Sequence, residues 1–133
     1  MRGVLLIAHG SKRDSANREV HALADKLQQK FEGFASNERT LVSCCFLELA
    51  EPSIPAGLSF LIEAGAKNIQ VLPYFLTQGR HVIEDIPAIL NRYIEQHGNN
   101  GDITLETLPY LGADNRLLDN MMDLIDSDNT AKF

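Results

Sequence analysis

Basic residues are in deficit: 12 lysines and arginines stand against 18 aspartates and glutamates, a formal charge of −6 at neutral pH. Binding a phosphate backbone needs a basic face, so nucleic acid is not expected as a partner. Glycine (9) and proline (5) are too few and too scattered for a collagen or a flexible linker protein. Long apolar runs are missing as well. The first, residues 4–8 (VLLIA), gives way at once to Gly10, Ser11, Lys12 and Arg13. A secretory leader needs roughly 7–15 apolar residues and a membrane span ~20, so neither is expected. Cysteine is scarce, and the two present, Cys44 and Cys45, are neighbours. Adjacent side chains of an extended segment point to opposite faces, which predicts two buried, reduced thiols rather than a redox or metal pair. These absences predict a cytoplasmic protein without a membrane partner.

What is present is an ordinary globular balance of 44% hydrophobic and 23% charged residues over 133 positions. It predicts one domain over residues 1–126 and a frayed tail over 127–133. Strand-like runs alternate with helical patterns. Residues 4–8 read as a strand buried on both faces. Ala16, Val20, Leu23, Ala24, Leu27 and Phe31 then recur at helical spacing, with Ser11 or Asp14 as the expected cap and Gly33 as the stop. Residues 40–47 (TLVSCCFL) read as a second strand. Ser53 opens a shorter helix carrying Ile54, Leu58, Leu61 and Ile62, with Pro55 in its first turn and Gly65 at its end. Residues 68–72 (NIQVL) form the third strand, and Asp85 is the expected cap of a helix carrying Ile86, Leu90, Tyr93 and Ile94. A turn is expected over 99–101, a fourth strand over 103–107 and a last helix over 114–126.

Four strands alternating with four helices predict an α/β fold, a four-stranded parallel sheet with helices on both faces. In such sheets the functional crevice lies beyond the carboxyl ends of the strands. After the first strand come His9, Gly10 and Ser11; after the second, Glu48; after the third, residues 73–81, ending in His81; after the fourth, Pro109 and Tyr110. Two of four histidines and a carboxylate therefore share one rim, whereas His21 and His97 fall in helices without a recognisable chemical neighbour. Each rim residue also has a purely structural reading: His9 as a backbone cap, His81 as a helix opener, Glu48 as a first-turn carboxylate. Their convergence favours function, because imidazole nitrogen with carboxylate oxygen suits Fe, Co, Ni or Zn and leaves coordination positions open. Tyr74, Phe75, Leu76 and Val82 add large apolar side chains to a connection that should be exposed, as a flat apolar ligand or another subunit would require. Lys12, Arg13 and Arg80 flank the histidines, either as carboxylate anchors or as solvated charge.

Residues 5–11 (LLIAHGS), 46–52 (FLELAEP) and 71–87 (VLPYFLTQGRHVIEDIP) together resemble the small, single-repeat sirohydrochlorin cobaltochelatases and ferrochelatases of the class II group. Gly79-x-His81-Val82 followed by Asp85-Ile86-Pro87 is the most specific part, and the likeness runs from Gly3 to about Tyr93. The resemblance implies a chelatase, a lyase that inserts Co2+, Fe2+ or Ni2+ into sirohydrochlorin, an octacarboxylate tetrapyrrole, on the way to cobalamin or siroheme. The metal is a substrate, and neither ATP nor an organic cofactor is implied. The family's metal ligands map onto His9, Glu48 and His81, with one of the two histidines also acting as catalytic base. The substrate surface would comprise Ser11, Lys12, Arg13, Tyr74, Phe75, Leu76, Gly79, Arg80 and Val82. Larger relatives fuse two such repeats and short members pair, so a homodimer is implied.

Two rivals remain at the level of sequence. A carrier of metal or tetrapyrrole needs the same donors as a catalyst. A histidine-dependent phosphohydrolase reading of His9-Gly10-Ser11 fares worse, because those enzymes place an arginine directly before the histidine and here that residue is Ala8.

Overall fold

The computed structural model describes residues 1–34, 36–97, 102–127 and 131, and at residues 81 and 83 the backbone alone. Its strands are β1 (Arg2–Ala8), β2 (Thr40–Phe46), β3 (Asn68–Pro73) and β4 (Thr104–Thr107). Its helices are α1 (Asp14–Glu32), α2 (Ile54–Glu63), α3 (Ile86–His97) and α4 (Arg116–Ile125). The strands form one sheet in the order β2-β1-β3-β4, and every pairing is parallel. The register sets Ala8 beside Phe46 and Ile7 beside Pro73, so three strands end at one level. The chain's direction of travel reverses between β1 and β3, and that reversal is where an open α/β sheet forms its crevice.

β1 is buried along Gly3–Ala8 because helices cover both of its faces. Leu5, Ile7, Ile69 and Val71 pack with Ile54, Leu58 and Leu61 of α2 and Leu90 and Tyr93 of α3. Each such fully buried aliphatic contributes about 1.5–3 kcal/mol, which makes this face the main source of stability. The opposite face holds a smaller cluster, Leu6, Cys44 and Ala24, under α1. Cys44 and Cys45 sit on opposite sides of the sheet as buried free thiols, as alternation requires.

The helices depart from expectation where polar residues intervene. α1 carries no side-chain cap, so neither Ser11 nor Asp14 serves as one. Ser11 instead accepts the Arg13 N–H at 3.0 Å, and Asp14 lies in the first turn, paired with Arg18 at 2.9 Å. α1 buries Asn17 and Ala24, whereas Leu23 is exposed. The Gln28 side chain bridges the free edge of β2, donating to the Thr40 carbonyl at 3.0 Å and accepting the Val42 N–H at 2.7 Å. Such a plug blocks edge-to-edge pairing. Ser53 does cap α2, accepting the Ala56 N–H at 3.3 Å.

Asp85 is not a cap. A wide π-helical turn, His81–Asp85, runs directly into α3, so Asp85 lies inside a continuous helical stretch. Pro87 accounts for this: it has no N–H to give the Ile83 carbonyl, and its ring crowds that carbonyl, so a widened turn relieves both. The last helix begins at Arg116, two residues later than Asp114, after a 3-10 turn at Leu111–Ala113. None of its residues is buried, and Leu118, Met121, Met122, Leu124 and Ile125 are exposed. Residues 99–101, expected as a turn, lie outside the described residues, as does most of the expected tail. No helix is long and apolar enough to cross a membrane among the described residues.

Candidate active site

The parallel ladder does not stop where β1 and β2 end. The Leu47 N–H donates to the Ala8 carbonyl at 2.9 Å and the Glu48 N–H to the His9 carbonyl at 3.0 Å, which locks Glu48 beside His9. Gly10 then turns the chain with φ +99, and a Cβ there would lie 1.7 Å from the Glu48 carbonyl oxygen. Only glycine fits a backbone of that hand at that distance. Two chain segments remote in sequence are thus pressed together by main-chain contacts, with their side chains delivered to the sheet rim.

The result is a close pair: His9 Nε2 lies 3.1 Å from Glu48 Oε1, both side chains roughly half-exposed. Two donors that share one divalent ion at ~2.1 Å each are about 3.0–3.4 Å apart for ligand angles of ~90–110°. The observed separation falls in that window. On its other side the His9 ring meets the Gly10 carbonyl at 2.9 Å through Nδ1. A carbonyl accepts only, so Nδ1 is the donor in that contact and Nε2 is the ring nitrogen turned toward Glu48. This is the arrangement of a ligating histidine held by a backbone carbonyl behind it.

The β3 loop leaves the same rim of the sheet. The Tyr74 N–H donates to the Ile7 carbonyl at 2.7 Å, carrying the chain past the end of β1, and Phe75 packs half-buried against the main core. Tyr74 and Leu76 are exposed, so the loop presents apolar surface at the rim. The segment after β4 clamps this loop: the Gly112 N–H donates to the Phe75 carbonyl at 2.9 Å, and a Cβ on Gly112 would lie 1.8 Å from the Leu76 carbonyl oxygen. Val82 is half-buried and its N–H donates to Gly79. Arg80 is exposed and pairs with Glu84 at 3.6 Å. His81 opens the helical stretch that leads into α3, on the loop that follows β3, and its side chain lies outside the described residues. Among the described residues no third histidine, cysteine or acid completes a ligand group with His9 and Glu48. Glu48 lies in a loop well before α2, so its reading as a first-turn helix carboxylate does not hold.

Residues 3–128 match the family described as CbiX. The chain belongs to that family. It is 34% identical over 123 residues to a sirohydrochlorin ferrochelatase of Arabidopsis thaliana chloroplasts, covering 92% of this chain and 51% of that protein. It is 36% identical over 93 residues to a sirohydrochlorin cobaltochelatase of Methanococcus maripaludis, covering 70% of this chain and 60% of that one. The chain thus spans about half to three-fifths of the length of these relatives. The crystal structure of a CbiX protein from Marinobacter aquaeolei superposes with a TM-score of 0.73 at 26% identity, covering 94% of each chain. The Bacillus subtilis sirohydrochlorin chelatase, solved with cobalt, shares the fold at a TM-score of 0.74 and 24% identity, with 93% of this chain matching 49% of that one.

Three features of the CbiX chain near the rim escaped the sequence. Asn17 is buried and clasps Ser11 from both sides, accepting its N–H at 3.0 Å and donating to its carbonyl at 2.7 Å. Its i, i+3, i+7 spacing with Val20 and Ala24 was the available signal. His21 does have a chemical neighbour, the Cys44 sulfur at 3.2 Å from Nδ1, on a strand that no local pattern relates to α1. Burial, with the Asp25 carboxylate nearby, pushes the Cys44 thiol up. Leu49, next to Glu48, adopts φ +67, which no sequence rule anticipates for leucine.

Proposed function

We propose that this chain inserts Co2+, Fe2+ or Ni2+ into sirohydrochlorin without ATP or an organic cofactor, serving cobalamin- or siroheme-type tetrapyrrole synthesis. The observation that carries the reading is the His9–Glu48 pair, 3.1 Å apart at the carboxyl-end rim of the sheet, where β1 and β2 end side by side. The curated relatives, named as sirohydrochlorin chelatases of iron and cobalt, supply the substrate class.

His9 Nε2 and Glu48 take the incoming cation, with His81 on the loop after β3 as the second imidazole. Nδ1–H stays on the Gly10 carbonyl throughout, so the ring cannot rotate when it gives up its ligand. The macrocycle lies against Tyr74, Phe75 and Leu76, with its carboxylates toward Ser11, Lys12, Arg13 and Arg80 and its edge near Gly79 and Val82. Insertion exchanges one dication for two pyrrole N–H protons, so charge balances without oxidation or reduction. One imidazole releases the metal as it takes one of those protons, and the Glu48 carboxylate passes the other to solvent.

A pair of chains is the working form in this reading, supported by the exposed apolar face of α4, which a second copy would cover. Residues 1–126 act as one unit. The buried, unpaired Cys44 and Cys45 suit a reducing compartment such as the cytoplasm. The test is anaerobic absorbance spectroscopy of sirohydrochlorin with each ion, against the uncatalysed rate and with His9→Ala and His81→Ala. Many turnovers per chain, lost in both variants, are expected. At most one metallated ring per site identifies a carrier, and full activity in both variants removes the mechanism.

A further inference from the structure

Next along the chain from His9 and from Glu48, an open cavity of about 400 Å3 lies between the start of α1 and the loops after β1 and β2. Its lining includes Lys12, Arg18 and Leu49, with Asp14 and Glu51 as the opposing acids. The floor is rigid, because Asn17 holds Ser11 by both backbone groups. The rim is strained. Leu49 sits at φ +67 and is 53% exposed, the reverse of what an unconstrained leucine adopts. Left-handed backbone at a non-glycine residue persists only where the surroundings over-determine it, and it concentrates at functional sites. Here it stands an apolar side chain upright one residue from a metal-site carboxylate.

We propose that this cavity is a subsite for the peripheral carboxylates of a flat polycarboxylate ring, with Arg18 as the anchor and Leu49 as the apolar shelf under the ring edge. The inference rests on the insertion reading above and extends it to residues that reading does not use. Arg18 meets Asp14 through one terminal nitrogen at 2.9 Å, and a guanidinium has further N–H groups with which to take a second carboxylate. Asp14 is then both the residue that orients Arg18 and the competitor that a ligand carboxylate must displace or share. Cavity chemistry of this kind, cationic on one wall and apolar at the lip, suits an amphiphilic disc better than a small anion.

Two variants separate a ligand role from a surface ion pair. Arg18→Gln and Asp14→Asn break the same i,i+4 pair, and thermal unfolding of each reports separately what the change does to the helix. In ligand binding they act oppositely. Metal-free sirohydrochlorin, titrated anaerobically and followed by its absorbance, is expected to bind about tenfold more weakly to Arg18→Gln and about threefold more tightly to Asp14→Asn, with Arg18→Lys nearer wild type. Leu49→Gly relieves the left-handed backbone, so it raises the thermal midpoint while weakening ring binding severalfold. Shifts of the same sign in Arg18→Gln and Asp14→Asn, or no shift in either, overturn the subsite. Because no metal is present, the outcomes stay distinct from those of turnover. Insertion by wild type with unshifted ring affinities overturns the subsite alone. Opposed shifts without turnover overturn insertion alone, and no ring binding by wild type overturns both.

Discussion

Gly10→Ala isolates the contact that assembles the rim. The new methyl group would lie 1.7 Å from the Glu48 carbonyl oxygen, whereas ordinary van der Waals contact begins near 3.4 Å. The turn after β1 and the Glu48 backbone must therefore separate by more than an ångström. That movement breaks the Glu48 N–H to His9 carbonyl bond at 3.0 Å and pulls apart the 3.1 Å side-chain pair. The φ of +99 adds strain for any residue with a Cβ. Left-handed strain of about 1–3 kcal/mol plus one lost hydrogen bond of about 1 kcal/mol gives a stability loss of roughly 2–4 kcal/mol. A displacement of this size at reacting groups costs on the order of a hundredfold in rate. Gly65→Ala is the internal control: its φ is +104, but nothing lies within 4 Å of the added Cβ. It shares the strain without the clash. Urea unfolding and anaerobic metal insertion on both variants are the assays. Gly10→Ala is expected to be clearly the less stable and nearly inactive, with Gly65→Ala fully active. Equal stability and full activity in the two would show that the Gly10–Glu48 contact does not build the site.

Burial pushes the Cys45 thiol upward from its ordinary value of 9.0, and Cys44 in the same direction. The native state therefore holds protons that the unfolded chain releases above pH 9, so stability falls as pH rises past that point, by up to about 1.4 kcal/mol per pH unit for Cys45. Chemical unfolding from pH 8 to 10.5 checks this against Cys45→Ala, which should flatten the decline, and an unchanged slope would contradict it. Gln28→Ala should cost about 1–3 kcal/mol, since it leaves the Thr40 carbonyl and Val42 N–H of the β2 edge to water and to edge pairing; a neutral result in urea unfolding would refute the plug. If the proposed pairing uses α4, Leu118→Glu with Met122→Glu should yield monomers in analytical ultracentrifugation, with a melting temperature unchanged at protein concentrations where the wild type is itself monomeric, because neither side chain is buried within the chain. Dimers of unchanged affinity would place the interface elsewhere.

The strands were legible because a strand buried on both faces must be apolar throughout, and residues 4–8 and 40–47 are. Their ends were legible to within a residue or two, and with them the single rim that brings His9 beside Glu48. Helix starts were harder. Ser11, Asp14 and Asp85 all have cap chemistry, yet Asn17 organises the first turn from inside α1, and Pro87 reshapes the third helix into a wide turn. These are contests between local donors that only the folded backbone decides. The exposure of α4 was illegible for a related reason: its apolar face looks like any core-facing stripe, and sequence carries no record of what covers it. His21 beside Cys44 and the left-handed Leu49 depend on long-range packing, which leaves no periodic trace.

Cobalt binding by the resting chain addresses the shared-ion geometry most directly. Anaerobic titration with Co2+, followed by its visible absorption and by X-ray absorption at the metal, should show imidazole nitrogen and carboxylate oxygen at a single site. His9→Ala and Glu48→Gln should each weaken binding tenfold or more, with the fold intact by circular dichroism. Cobalt bound with undiminished affinity in both variants would contradict the assignment of His9 and Glu48 as its ligands.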